Sequence, residues 1–208
     1  MVNIHERTIS IMNESEWGPP GAFFYDFLSD IEKEKLPKHI CFLGCGDGRY
    51  VVPALVQGFY CTAVDIDEIA LNKMRGRIQL DDNSSGLLEI LSKDFFKETS
   101  QISYPATFVT AALHYDVNSS YSLKEKIQKI NSYVQPGGLL LHEYIHYSER
   151  NHETEKYFTS DQLALCYDTG WEIINNKVEV FNDGPNPRRP YPAQLAWGTF
   201  YAKRHTKM

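Results

Sequence analysis

Three glycines and an acid are the residues of this 208-residue chain best spaced for chemistry: Gly44, Gly46 and Gly48, followed by Asp65. Glycine lets the backbone turn sharply and lets a ligand approach without meeting a Cβ. A helix that starts directly behind such a turn presents unpaired N–H groups and the positive end of its dipole. A carboxylate at the tip of the neighbouring strand accepts both hydroxyls of a ribose, and Asp65 lies close to the roughly 20 residues from Gly44 that this pairing shows.

The elements that must position these residues are legible around them. Ile40 to Leu43 is an apolar run that reads as a buried strand. Tyr50, Val51, Val52, Ala54, Leu55 and Val56 have helical periodicity, and Phe59 to Val64 is a second apolar strand ending in Asp65. Strand, glycine turn, helix, strand and acid make the first half of a doubly wound nucleotide-binding sheet. A dinucleotide site asks for G-x-G-x-x-G, whereas this turn is G-x-G-x-G with Arg49 where the third dinucleotide glycine would stand. That spacing disfavours an NAD-dependent oxidoreductase.

Bulk properties exclude several classes. The net charge of −6 and pI near 5.6 argue against binding a nucleic-acid backbone or an acidic membrane surface. No stretch approaches the ~20 apolar residues of a membrane span. Met1 to Glu16 is polar and mixed in charge, unlike a signal or transit peptide. Cys41, Cys45, Cys61 and Cys166 form no close C-x-x-C pair, which fits a reduced cytoplasmic protein without a disulfide framework or a zinc ribbon. The length suits one domain with small additions. We divide it into an N-terminal arm and cap helix, 1–36, and a main domain, 37–208, and leave a homodimer open.

Along the chain, Ala22 to Lys35 reads as a helix through Phe23, Phe24, Phe27, Leu28 and Ile31, closed by Pro37. Trp17 and Tyr25 stand where they can line a pocket. Asp67 and Glu68 suit the first turn of the next helix. Leu87 to Leu91 is the third strand, followed by Asp94 and Phe95. Ala106 to Leu113 is the fourth, ending in His114, Tyr115 and Asp116. Ligands in open α/β sheets sit beyond the carboxyl ends of the strands, which puts these three at the reacting end. Ser119 or Ser120 caps the following helix. Pro136-Gly137-Gly138 turns into a fifth strand, Leu139 to His146. Thr159 to Leu163 has capping character and opens a helix that ends at Gly170. Trp171 to Phe181 and Leu195 to Lys203 are the last strands.

This order resembles the class I S-adenosylmethionine (SAM) methyltransferases. The resemblance rests on Leu43-Gly44-Cys45-Gly46-Asp47-Gly48-Arg49, Asp65, Asp94, Pro136-Gly137-Gly138 and the strand Trp197 to Arg204. Within them the chain is most similar to the tellurite-resistance (TehB-type) and thiopurine methyltransferase-like group, through Phe158 to Leu163 and Gly170-Trp171-Glu172. It implies a Rossmann-like α/β fold: a doubly wound, mostly parallel seven-stranded sheet with an antiparallel last strand and an N-terminal helical cap. It implies SAM as cofactor, held by Gly44, Cys45, Gly46, Asp47, Gly48, Arg49, Asp65, Ile66, Asp94, Phe95 and Ala111. For Asp94 an adenine contact and a helix cap are both open. The chain departs from the family at Phe42, where an acid near the methionine ammonium is usual. It departs again in Asn182 to Arg189, where TehB-type proteins carry a histidine-arginine pair.

The implied reaction is transfer of the SAM methyl to a small-molecule acceptor. His114 is the best-placed base, Tyr115 orients the acceptor, and Asp116 and Arg49 assist. A SAM-binding module without turnover is the alternative. His142-Glu143-Tyr144-Ile145-His146 matches the zinc-protease pattern H-E-x-x-H, which requires a helix. Here the segment reads as a strand, spreading the two histidines over ~13 Å, so no metal site is assigned. His142 either lines the substrate pocket or is a hydrogen-bonded core histidine.

Overall fold

The computed structural model describes residues 15–78, 87–97, 99–114, 120–146, 157–167, 169–183 and 193–206. Alternation of apolar residues along the strands is met by helices on both sides of one sheet. Ile40, Phe42, Phe108, Leu139 and Leu141 face one core, while Cys41, Leu43, Val109, Leu140 and Tyr144 face the other. The sheet has seven strands in the order β3-β2-β1-β4-β5-β7-β6. These are β1 (His39–Leu43), β2 (Tyr60–Asp65), β3 (Leu88–Ser92), β4 (Tyr104–Thr110), β5 (Val134–Ile145), β6 (Trp171–Asp183) and β7 (Ala193–Arg204). β1 to β5 pair in parallel, and β7 runs antiparallel to both β5 and β6. The strand order reverses between β1 and β4, which places the switch point beside the glycine turn.

Five helices are described. α1 (Ala22–Lys33), α2 (Val51–Val56) and α3 (Glu68–Ile78) contribute to the first core, α4 (Leu123–Asn131) and α5 (Ser160–Ala164) to the second. α1 buries Phe24, Phe27, Leu28 and Ile31, with the Phe24 ring 6.3 Å from Phe42 and 5.6 Å from Phe108. The cap helix is thus packed into the core of the sheet.

Several boundaries differ from the sequence analysis; α5 stops at Ala164 instead of running to Gly170, and β6 continues to Asp183. β4 stops at Thr110 instead of Leu113, because Ala111 takes φ 47° and its N–H donates to Glu143 O at 2.7 Å. β5 begins at Val134, so Pro136-Gly137-Gly138 lies within the strand as an irregularity: Tyr104 pairs with Val134, but Ala106 pairs with Leu139. Gly138 allows this, since a Cβ there would stand 2.9 Å from the carbonyls of Gln135 and Pro105. The cap of α4 is Ser122, whose hydroxyl and backbone form a capping box with Glu125, in place of Ser119 or Ser120. The expected capping box of Thr159 and Gln162 is present at α5.

Candidate active site

The three glycines of the turn all have positive φ, at +74°, +53° and +81°, and do three different things. A Cβ on Gly44 would stand 2.8 Å from Ala112 Cβ and 2.9 Å from Thr110 O, so this glycine lets the turn abut the end of β4. A Cβ on Gly48 would reach 2.5 Å from Met74 Cγ, so that glycine admits α3. Around Gly46 there is nothing within 4 Å of the corresponding point. Gly46 alone of the three faces open space, the property a ligand cradle requires.

Asp65 closes the other side. Its Oδ2 accepts the Gly46 N–H at 2.7 Å and its Oδ1 accepts the Asp67 N–H at 2.9 Å. Each carboxylate oxygen carries two acceptor sites, so capacity remains for the hydroxyls of a ligand. Ile66 lies exposed beside it. Asp67 caps α3, accepting from Ile69 N at 2.9 Å and Ala70 N at 3.2 Å. The end of β3 is tied to β2 by Lys93 N donating to Asp65 O at 2.9 Å. The following Asp94 caps its own turn through Phe96 N at 2.9 Å, with the Phe95 ring buried against Phe96. Of the two roles open for Asp94, the cap is therefore present. Cys45 is buried, and burial followed by the Asp65 charge pushes its thiol well up, so it is no nucleophile.

Solved structures share this fold. No protein-family model and no curated protein matches the sequence. TehB from Haemophilus influenzae superposes with a TM-score of 0.69 at 16% identity, over 86% of this chain and 62% of TehB. The chain thus spans less than two thirds of that protein. Magnesium protoporphyrin IX methyltransferase (ChlM) from Synechocystis, solved with bound SAM, gives 0.62 at 14% identity over 98% of this chain and 85% of its own. The [4+2]-cyclase SpnF gives 0.64 at 12% identity over 98% and 95%. The chain has the Rossmann-like methyltransferase fold.

Within this fold several expected site residues find other partners. Asp47 is buried and accepts from Ser15 Oγ at 3.2 Å and Glu16 N at 3.0 Å, while Arg77 donates to its carbonyl at 2.6 Å. Arg49 places Nε and Nη2 on Pro19 O, at 3.1 and 2.7 Å, and lies over the Tyr50 ring at 5.0 Å. Both side chains tie the segment 15–21 to the glycine turn, helped by Lys73 and Glu16 at 2.6 Å.

His142 also changes place. It is fully buried, bonded to the Tyr167 hydroxyl, with the Phe200 ring 5.8 Å away. Burial pushes it down to about 3, so it stays neutral in the second core and is not brought to the glycine turn. Of the alternatives for this residue the core histidine is the one found. His142 and Glu143 lie on a strand and project to opposite faces, so the H-E-x-x-H pattern has no helical face to share.

His114 is buried at the corner after β4, its ring stacked 6.1 Å from Tyr157. Lys126 braces this corner by donating to Leu113 O at 3.0 Å. Leu113, Tyr121, Tyr157 and Phe158 line an open groove of about 600 Å³ next to it. Trp17 and Tyr25 are on the surface. Tyr115, Asp116 and the Gly184 to Arg189 part of the loop before β7 lie outside the described residues.

One group escaped the sequence reading. Glu143 is buried in the last β4–β5 pair, opposite Thr110, and accepts the Tyr50 hydroxyl at 2.5 Å. The sequence shows this acid only inside H-E-x-x-H. The β4–β5 register that carries it to the carboxyl edge is long-range information.

Proposed function

We propose that the protein is a SAM-dependent methyltransferase acting on a small molecule. The observation that carries this is the open backbone at Gly46 facing the Asp65 carboxylate across the switch point of a methyltransferase fold. Gly44, Cys45, Gly46 and Gly48 supply the turn, Asp65 takes the ribose hydroxyls, Ile66 and Phe95 flank the adenine, and Asp94 meets its amine. The left-handed Ala111 aims the end of β4 at the methionine end. When bound, SAM supplies an electrophilic methyl on a good leaving group. The chain then contributes proximity and orientation. His114 receives a proton where the acceptor must lose one, and the groove beside it gives a small acceptor room. All four cysteines are free thiols, which fits a cytoplasmic enzyme.

Calorimetric titration tests this reading. SAM and S-adenosylhomocysteine are expected to bind in the micromolar range, and Asp65→Ala to weaken both at least tenfold. Absence of binding to the wild type sinks the proposal. The same fold serves a cyclase in SpnF, so cofactor binding without methyl transfer is the second reading. A turnover assay over thiols, amines and oxyanions, read as S-adenosylhomocysteine released, separates the two.

A further inference from the structure

Glu143 is a buried acid that has no part in the reading above. It stands 3% exposed at the carboxyl edge of β5, next to the strand that abuts Gly44. Its Oε1 accepts from Tyr50, and Arg49 Nη1 lies 3.7 Å from the same oxygen. Arg49 Nε and Nη2 each donate to Pro19 O. Oε2 has no hydrogen-bond partner, although the Trp197 indole lies close enough to favour the charge. A buried carboxylate with one bare oxygen is costly, and a cationic donor removes that cost. The side chains around it, Arg49 and Trp197, are themselves only partly buried.

We propose that Glu143 is an ammonium-recognition site at the carboxyl edge of the sheet, taking an aliphatic amino group of a small ligand on Oε2. The inference rests on the SAM reading above and deepens it. The amino group has two sources of the same chemistry: the methionine end of the cofactor, or an amine acceptor. Arg49 and Tyr50, from the glycine-turn side, and Trp197, from β7, face the carboxyl group. All three oppose the upward push of burial on its pKa.

The experiment compares the full-length wild type with Glu143→Gln by calorimetry. The probes are S-adenosylhomocysteine and methylthioadenosine, the same nucleoside thioether without the amino-acid end. Benzylamine and putrescine are then titrated onto the S-adenosylhomocysteine complex. The variant is expected to lose roughly 10- to 100-fold in affinity for the ammonium-bearing ligand, the range of a hydrogen bond to a charged group. Methylthioadenosine affinity stays unchanged. A loss in S-adenosylhomocysteine assigns the site to the cofactor, and a loss in the amines assigns it to the acceptor. Unchanged affinity for both overturns the proposal. A wild type that binds neither nucleoside refutes the SAM reading, and the inference falls with it. Thermal melting checks folding. Should Glu143→Gln not fold, Glu143→Asp keeps the charge on a shorter stem and is expected to lose affinity for the same ligand to a smaller degree; no loss overturns the proposal equally.

Discussion

Gly46 and Gly58 make a matched pair at the scale of single residues. Both are left-handed, at +53° and +78°, and a Cβ on either would meet nothing within 4 Å. An alanine at either position therefore pays for its backbone alone, roughly 1–2 kcal/mol. Only Gly46 faces Asp65. Gly46→Ala and Gly58→Ala are expected to lose similar stability in urea, while Gly46→Ala alone loses SAM affinity, by at least tenfold in calorimetry. Equal affinity in the two variants would remove Gly46 from the site. Gly46 and Asp65 were readable in the sequence because their geometry is local: a turn, the helix behind it and the next strand. The bonds that Asp47 and Arg49 make to the segment 15–21 were not readable, for the opposite reason. Their partners, Ser15, Glu16 and Pro19, lie some thirty residues upstream and have no spacing rule to announce them.

Caps and cross-strand pairs decide matters at the scale of elements. Serines at 119, 120 and 122 all precede the apolar positions of α4; Ser119 or Ser120 is the expected cap, although only Ser122 has a glutamate three residues on, the spacing of a capping box. The structure selects Ser122 because Glu125 then falls at the third helical position and completes the box. Ser122→Ala is expected to cost about 1 kcal/mol in chemical denaturation, and Ser120→Ala to stay within about 0.5 kcal/mol. A reversed order would put the cap elsewhere. Gly198 is a second case. It pairs with Tyr144 across β5 and β7, and a Cβ there would fall 2.1 Å from the Tyr144 ring, itself stacked on Phe158. With the ring held on its other side, Gly198→Ala is expected to cost about 1–3 kcal/mol by overpacking. Unchanged stability would show that the ring moves freely. Strand seven was legible as an apolar run, but this glycine was not, since its reason lies on another strand.

The whole molecule adds a constraint that no element shows alone. The sheet is wrapped on both faces, so β5 must bury a polar residue on each: Glu143 on one, His142 on the other. The sequence offered both as one zinc motif, and strand alternation divides them. Burial leaves His142 at about 3, below its ordinary 6.5. At pH 7 the folded chain leaves this ring neutral and the unfolded chain protonates it only about a quarter of the time, so its slope there is shallow. Below about 6.5 the unfolded chain takes up a proton that the folded one refuses, and stability is lost as the pH falls. From pH 7 to pH 5 this one group is worth about 2 kcal/mol. Glu143 acts in the opposite sense, because burial raises its carboxyl and the folded chain takes the proton first. The wild type alone therefore mixes the two. His142→Gln can keep a hydrogen bond to Tyr167 while removing the titration. Urea midpoints at pH 7, 6 and 5 are expected to fall more steeply in the wild type than in His142→Gln, the difference reaching about 2 kcal/mol at pH 5. Parallel lines would mean that the ring reaches water in the folded protein, and a histidine with access to water would have to be considered again for the substrate side.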